Sequence, residues 1–169
     1  MHVTGHEAIA KGAPRSLRIA VVSTGATFAI EPAGPAWAQV QPLSNSVWPP
    51  DLSPPPPWAH IVAQPPQQRV MVRNQSGELI AHVGIQIHSG LWDRRRVRIG
   101  GIGGVATRAD ERRKGLASRA LDIALKELDA AAIHFALLFA ESHNFAFYER
   151  RQWHKFSGDV FIEQPQGRI

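Results

Sequence analysis

Residues Arg112, Arg113 and Lys114 form a basic cluster directly before Gly115, and this stretch could bind an anion. An apolar strand precedes the cluster, and helical periodicity begins near Arg113. Basic side chains oppose the dipole at the start of a helix, so local stability does not explain them. The first turn of a helix has N–H groups without intrahelical partners, and Gly115 allows a ligand to approach them closely. The pattern predicts a phosphate-binding site.

Two better-known phosphate motifs do not fit this stretch. The Gly-Lys-Ser/Thr sequence of a P-loop is absent, and the glycine-rich strand precedes the turn instead of forming it, unlike a dinucleotide fingerprint. That strand contains Gly100, Gly101, Gly103 and Gly104. Because glycine weakens a strand, the four glycines indicate a bulge or a ligand that lies along the backbone. The alternative is a strand that needs small residues under a helix.

Tyr148, the single tyrosine of the chain, lies in another informative stretch, which runs from Ser142 to Trp153. A phenol with an ordinary pKa of about 10 is a poor base at neutral pH but a competent proton donor to a thiolate. Tyr148 is therefore a candidate general acid. The alternative is a core tyrosine whose hydroxyl group reaches water.

The elements that must position these residues alternate along the second part of the chain. Apolar patterns predict strands over 69–73, 79–88, 97–107 and 135–140, helices over 112–129 and 142–151, and closing strands over 153–156 and 160–163. A turn at 74–77 and a polar connection at 90–96 join the first three strands in an antiparallel meander. This order predicts an α/β (α+β) fold, with a mixed, mostly antiparallel sheet flanked by helices.

A proline-rich arm precedes these elements. Eleven of the 13 prolines lie between Pro32 and Pro66, and because proline lacks an N–H and has a fixed φ, we predict an extended, polyproline-like chain there. Its tryptophans, Trp37, Trp48 and Trp58, indicate that the arm packs against the domain. We divide the chain into an arm with a first strand and helix, residues 1–67, and a core, residues 68–169, in one structural domain.

The composition limits the classes of function. The chain has 169 residues, a formal charge of +5 and no cysteine, which excludes disulfides, a thiolate nucleophile and Cys-ligated metals. No apolar run approaches the roughly 20 residues that span a bilayer. Residues 69–129 carry twelve basic and seven acidic residues, the whole net charge, which favours one local anionic ligand over long nucleic acid. We expect a cytoplasmic protein without metal, nucleic-acid or membrane partners.

Together the motifs resemble the GNAT superfamily of N-acetyltransferases. Residues 105–117 (VATRADERRKGLA) are similar to its acetyl-CoA motif, in which a strand runs into Arg/Gln-x-x-Gly-x-Gly/Ala. Residues 147–153 (FYERRQW) are similar to its later Phe/Leu-Tyr-Glu-x-x-Gly-Phe signature. The resemblance covers residues 68–163. Three positions depart from the pattern: Ala109 replaces a frequent proline, Glu111 a frequent aromatic residue, and Gln152 the usual glycine.

The resemblance implies a sheet that splays at an acetyl-CoA site. The pyrophosphate would lie on the N–H groups of residues 113–117, and the pantetheine arm would pair with Val105 and Thr107. The N–H of Val105 or a neighbour would polarise the acetyl carbonyl, and Tyr148 would protonate the CoA thiolate. The residues implied in binding the cosubstrate are Val105, Ala106, Thr107, Arg112, Arg113, Lys114, Gly115, Leu116, Ala117, Ser118, Ser142 and Asn144.

The resemblance also implies direct attack of a primary amine on the thioester, and the base that deprotonates the amine stays open. Many relatives have a carboxylate on the strand before the motif, and residues 97–107 contain none. The candidate bases are Glu141, His82, His60 and the C-terminal carboxylate of Ile169. The acceptor, a small-molecule amine or the N-terminus of a protein or peptide, is expected on the face that the arm covers. Residues expected to contact it are Trp48, Trp58, His60 and His82.

Two other functions stay open on the sequence alone. The missing strand carboxylate and Gln152 favour a non-catalytic acyl-CoA-binding or regulatory module on the same fold. The proline- and tryptophan-rich arm is compatible with a peptide-binding scaffold that has no affinity for CoA. A homodimer is compatible with each of these functions.

Overall fold

A computed structural model describes residues 25–51, 53–54, 64–92 and 94–157, and the backbone of residues 6–12, 163–164 and 167–168. Two single turns of 3-10 helix, Ala109–Glu111 and Ser142–Asn144, precede the second and third α-helices. The strands are β1 His6–Gly12, β2 Thr27–Pro32, β3 Gln68–Arg73, β4 Leu79–Trp92, β5 Arg95–Thr107, β6 Phe135–Glu141, β7 His154–Lys155, β8 Glu163–Gln164 and β9 Gly167–Arg168. The α-helices are α1 Ala33–Val47, α2 Leu116–Ala130 and α3 Phe145–Glu149.

Seven of the described strands form one sheet in the order β2-β3-β4-β5-β6-β1-β7. The pairs are antiparallel except for β5 and β6, which are parallel. The α/β fold with a mixed, mostly antiparallel sheet is therefore confirmed. No helix in the described ranges is both long enough and apolar enough to cross a membrane.

Helices cover both faces of the sheet. On one side, here called the α2 face, the apolar stripe of α2 packs against residues that include Val70 and Val72 of β3. On the other side, the α1 face, Ala36 and Val40 of α1 pack on Met71. Successive residues of β3 point to opposite faces, so its run of apolar residues is buried on both sides. The helical periodicity that predicts this helix is confirmed by its buried residues, Leu116, Ala120, Leu121, Ala124, Leu125 and Leu128.

The prediction of an extended chain throughout the proline-rich segment is wrong for residues 33–47, which form α1. Pro35 lies in the first turn, where an N–H has no intrahelical acceptor to lose. Pro42 lies inside the helix and removes one backbone hydrogen bond. The buried residues of α1 recur at three- and four-residue spacing, so packing on the sheet offsets that loss: Ala33, Ala36, Val40 and Leu43.

Three boundaries near the predicted site also differ from the sequence prediction. The helix predicted from residue 112 begins at Leu116, because Arg113 and Gly115 have φ angles of 64° and 79°, outside the helical region. The helix predicted over 142–151 is a 3-10 turn followed by the short α3. The polar connection at 90–96 is mostly strand, since β4 and β5 continue as a hairpin as far as Trp92 and Arg95.

Candidate active site

The strand β5 loses one of its neighbours halfway along its length. Its residues Ile99–Ile102 pair in parallel with Phe135–Leu138 of β6, and the pairing ends there. Residues 103–107 therefore present backbone N–H and C=O groups toward the gap without a partner strand among the described residues. An extended ligand that contains amide groups can pair with such an edge.

A β-bulge lies at the start of this open edge. His82 lies opposite Ala106, and Gly84 lies opposite Gly103. Two residues of β5, Gly104 and Val105, therefore face one residue of β4, Val83. Gly104 has a φ of 56°, in the region that glycine adopts without strain. The glycine-rich strand thus contains a bulge, which was one of its three predicted explanations. A bulge redirects the backbone groups on its own strand.

The start of α2 supplies a second set of free donors. The first backbone bond into the helix runs from the N–H of Arg119 to the carbonyl of Gly115 at 3.0 Å. The N–H groups of residues 116–118 therefore have no backbone acceptor in the described part of the chain. No described atom lies within 4 Å of the position that a Cβ on Gly115 would take, so the approach to these groups is open.

The three basic residues of the turn lie before the helix and not in its first turn, and all three are exposed. Lys114 forms an ion pair with Glu111 at 3.0 Å, and Nε of Arg112 donates to the carbonyl of Thr107 at 3.2 Å. Arg113 has no charged or hydrogen-bonded partner among the described residues. Arg113 is therefore the side chain of this cluster that is free to meet an anion.

Thr107 is the last residue of β5 and lies next to this turn. Its Oγ1 is buried and has no hydrogen-bond partner among the described residues. A buried hydroxyl group normally has a partner, so this atom is a candidate contact for a bound ligand. Val105 is half-buried against the main core and Ala106 is buried.

Tyr148 lies on α3 and is buried, with 7% of its surface exposed. Its ring makes edge contacts with Phe147 and Trp153, at centroid distances of 4.9 and 6.3 Å. Burial raises the pKa of Tyr148 to about 12, and the positive charge of Arg151 opposes the shift. The phenol is therefore protonated at neutral pH, as a proton donor must be.

Arg151 holds α3 against α2. Its Nη1 donates to the carbonyl of Phe147 at 2.8 Å, and its Nη2 donates to Oγ of Ser118. The guanidinium also stacks on the ring of Phe147 at 4.1 Å. The hydroxyl group of Ser118, predicted to bind the cosubstrate, thus accepts a hydrogen bond from the protein, while its backbone N–H is one of the free donors.

The residues between β6 and α3 lie at the open side of the gap. Ser142 and Asn144 are exposed on the 3-10 turn. Glu141, a predicted candidate base, ends β6 and lies 3.2 Å from Nδ1 of His143. Leu138 and Ala140 belong to the core under α2, so by alternation Glu141 points to the α1 face.

His82 is buried on the α1 face next to the bulge. Its Nδ1 lies 3.3 Å from Nη1 of Arg69, and its Nε2 has no partner among the described residues. Burial and the charge of Arg69 lower the pKa of His82 to about 3. A neutral imidazole with its lone pair directed at a guanidinium is poorly suited to take a proton from an amine. Arg69 was not identified from the sequence as a site residue.

Acid should destabilise the protein through His82. The pKa of a histidine in the unfolded chain is about 6.5, whereas that of folded His82 is about 3. Between these two pKa values, His82 is protonated in the unfolded chain and neutral in the folded protein. The contribution of His82 to stability is therefore complete above pH 6.5 and decreases as the pH falls. Near pH 5 this loss is about 1.4 kcal/mol per pH unit. The free energy of unfolding of His82→Gln, measured with urea from pH 7.5 to 5, should therefore decrease less steeply with falling pH than that of the wild type.

The matched control is His88→Gln, which changes an exposed histidine on the same strand. This variant should retain the wild-type slope. The same slope in His82→Gln and the wild type would contradict the assignment.

The remaining predicted acceptor contacts are only partly described. Trp48 follows α1, is half-buried, and donates its backbone N–H to the carbonyl of Ser44 at 2.8 Å. Trp58, His60 and Ile169 lie outside the described residues.

Comparison with known proteins agrees with this geometry. Residues 36–156 match the family model for the acetyltransferase (GNAT) domain. Comparison with curated protein sequences gives no match. A GCN5-related N-acetyltransferase from Ralstonia eutropha JMP134 aligns at a TM-score of 0.61 with 13% identity, over 80% of this chain and 97% of that chain. An acetyltransferase from Trypanosoma brucei aligns at 0.61 with 13% identity, over 82% and 99%. Glucosamine-6-phosphate N-acetyltransferase from Arabidopsis thaliana aligns at 0.58 with 12% identity, over 79% and 96%.

At these identities the structural neighbours establish the fold. The splayed sheet and the matching domain define the protein as an acyltransferase. Because the family model spans more than half of the chain, the chain belongs to the GNAT acetyltransferase family. The resemblance drawn from the two sequence motifs is thereby confirmed.

Proposed function

We propose that this chain transfers the acetyl group of acetyl-CoA to a primary amine by direct attack of the amine on the thioester. Acetyl-CoA supplies the activated acetyl group, and the chain supplies binding, polarisation and proton transfer. One observation carries the proposal. The open edge of β5, with its bulge at Gly104 and Val105, leads through a single turn into the unpaired N–H groups that begin α2.

The cosubstrate is proposed to lie along this path. The N–H groups of residues 116–118 would bind the pyrophosphate, with the free guanidinium of Arg113 beside it. The open edge at 103–107 would pair with the pantetheine amides, and Ser142 and Asn144 would line the other side of the gap. The orphaned Oγ1 of Thr107 fits this assignment, because a ligand amide would supply its missing partner.

The acetyl carbonyl is proposed to lie at the bulge, where the N–H of Val105 would donate to its oxygen. As the C–N bond forms and the C–S bond breaks, Tyr148 would donate its proton to the departing sulfur. The raised pKa of Tyr148 means that the phenol carries its proton across the physiological range. The phenolate would then recover a proton from water.

Glu141 is the proposed base that takes the proton from the attacking amine. Its side chain points to the α1 face, and it is 44% exposed, so it can pass the proton on to water. The other candidate base among the described residues is His82, and its pKa of about 3 leaves it little affinity for a proton. We propose that His82 serves instead as a hydrogen-bond donor.

The proposal is tested by combining calorimetry with a turnover assay. Acetyl-CoA should bind saturably at one site per chain. Release of free CoA should then depend on an added amine from a panel of small amines and a peptide with a free N-terminus, with the N-acetylated peptide as the inert control. No saturable binding would overturn the assignment. Binding without amine-dependent CoA release would favour the non-catalytic module instead.

A further inference from the structure

Arg69 is a buried cation without a counterion among the described residues. It lies on β3 with 6% of its surface exposed, and no described carboxylate forms an ion pair with it. Its Nη1 contacts Nδ1 of His82 at 3.3 Å, and its Nε is buried without a hydrogen-bond partner. A buried charge in this state is costly unless something pairs with it.

The contact between the two side chains fixes the tautomer of His82. A guanidinium has only donors, so Nδ1 of His82 must accept and its proton must lie on Nε2. Nε2 is also buried and has no partner among the described residues. Arg69 and His82 therefore present two buried N–H groups that lack acceptors. This arrangement is suited to a ligand that brings acceptors and negative charge.

Trp37 lies above this pair. The guanidinium of Arg69 stacks 5.3 Å from the centre of the indole, and Trp37 is 43% exposed. The guanidinium of Arg69 thus covers one face of the Trp37 ring. The ring can hold the guanidinium in place for a planar contact with an oxyanion.

The pair lies directly beneath the bulge of β5. A Cβ on Gly104 would be 3.3 Å from Cε1 of His82 and 3.8 Å from Nη1 of Arg69. Gly104 precedes Val105, whose N–H is proposed to polarise the acetyl carbonyl. An anion bound by Arg69 would therefore lie on the face of the sheet next to the bulge, beside the proposed position of the acetyl group.

We propose that the acceptor amine carries an acidic oxyanion group, a carboxylate or a phosphate, which Arg69 binds. This inference rests on the proposed acetyl transfer and specifies the substrate class of the same site. Guanidinium and oxyanion form paired, charge-assisted hydrogen bonds, and the bound anion supplies the missing counterion. Such an acceptor is zwitterionic, with its amine close to its acid group, as in an amino acid or an amino-sugar phosphate.

The test compares matched acceptors that differ only in the acid group. One arm pairs amino acids with their primary amides, and the other pairs an aminohexose phosphate with the free aminohexose. In one arm, kcat/KM for the acidic member should exceed that of its neutral partner by about 10- to 100-fold, the range expected for a charged hydrogen bond. The responsive arm identifies the anion as carboxylate or phosphate.

The variant Arg69→Met keeps an unbranched, flexible side chain that can replace the aliphatic part of arginine, and it removes the charge. It should reduce the preference to about one, mainly through KM, and its Tm should equal or exceed that of the wild type because an unpaired charge leaves the interior. Arg69→Lys keeps the charge without the planar fork and should retain part of the preference. If Arg69→Met does not fold, the partial loss in Arg69→Lys serves as the test.

Equal rates within every pair, or no measurable turnover of any acidic member, would overturn the inference. The same would follow if Arg69→Met and Arg69→Lys both kept the full preference. Failure of the proposed acetyl transfer looks different, because the wild type would then not bind acetyl-CoA saturably in calorimetry.

Discussion

Gly115→Asp should abolish measurable binding of CoA, whereas Gly115→Asn should weaken it by no more than about tenfold, or 1.4 kcal/mol. Gly115 has a φ of 79°, and aspartate and asparagine are the residues that best tolerate this conformation after glycine. No described atom lies within 4 Å of the new Cβ, so both side chains fit the free protein. The aspartate carboxylate would place a negative charge beside the N–H groups of residues 116–118 and repel a pyrophosphate.

Calorimetry with CoA measures this difference, and thermal unfolding supplies the control. Both new residues tolerate the positive φ of Gly115 and have space for their side chains, so both variants should unfold near the wild-type temperature. The pair is isosteric and differs in charge. Similar CoA affinities for the two variants would show that no anion binds at the start of α2.

Tyr148→Phe should lower kcat by about 10²- to 10⁴-fold, the usual contribution of a positioned general acid. The dissociation constant of CoA should hardly change, because phenylalanine preserves the ring contacts with Phe147 and Trp153. Steady-state kinetics and calorimetry on the same preparation separate the two effects. An unchanged kcat would exclude Tyr148 as the proton donor.

The pH dependence gives an independent check on Tyr148. Its pKa is raised to about 12, so the phenol stays protonated in the folded protein where a free tyrosine would already ionise. Loss of its proton therefore should not reduce kcat below pH 10. The neutral folded form also means that this group favours folding below pH 10 and that its contribution is lost as the pH rises toward 12.

Local patterns in the sequence were sufficient for the elements that carry the phosphate site. The apolar stripe of α2 follows the helical repeat. The fold class followed from the order of these elements. The first residue of α2 could not be predicted in this way. The positive φ of Arg113 depends on the whole turn, and arginine rarely adopts a positive φ.

The missed features depend on contacts between distant residues. α1 forms in spite of Pro42 because its apolar residues pack on β3, a partner that local propensity does not reveal. Arg69 lies in an apolar strand, and alternation alone places it on the face of Met71. Its significance depends on His82 and Trp37, which lie 13 residues after it and 32 before it in sequence.

The position of β1 has a consequence for how the chain folds. This strand lies between β6 and β7, and its residues Gly12 and His6 pair with Phe135 and Glu141. Closing so long a loop is entropically costly, and such pairing is slow compared with the hairpin of β4 and β5. During synthesis His6–Gly12 therefore stays unpaired until residues 135–141 have left the ribosome. This half of the sheet is completed last.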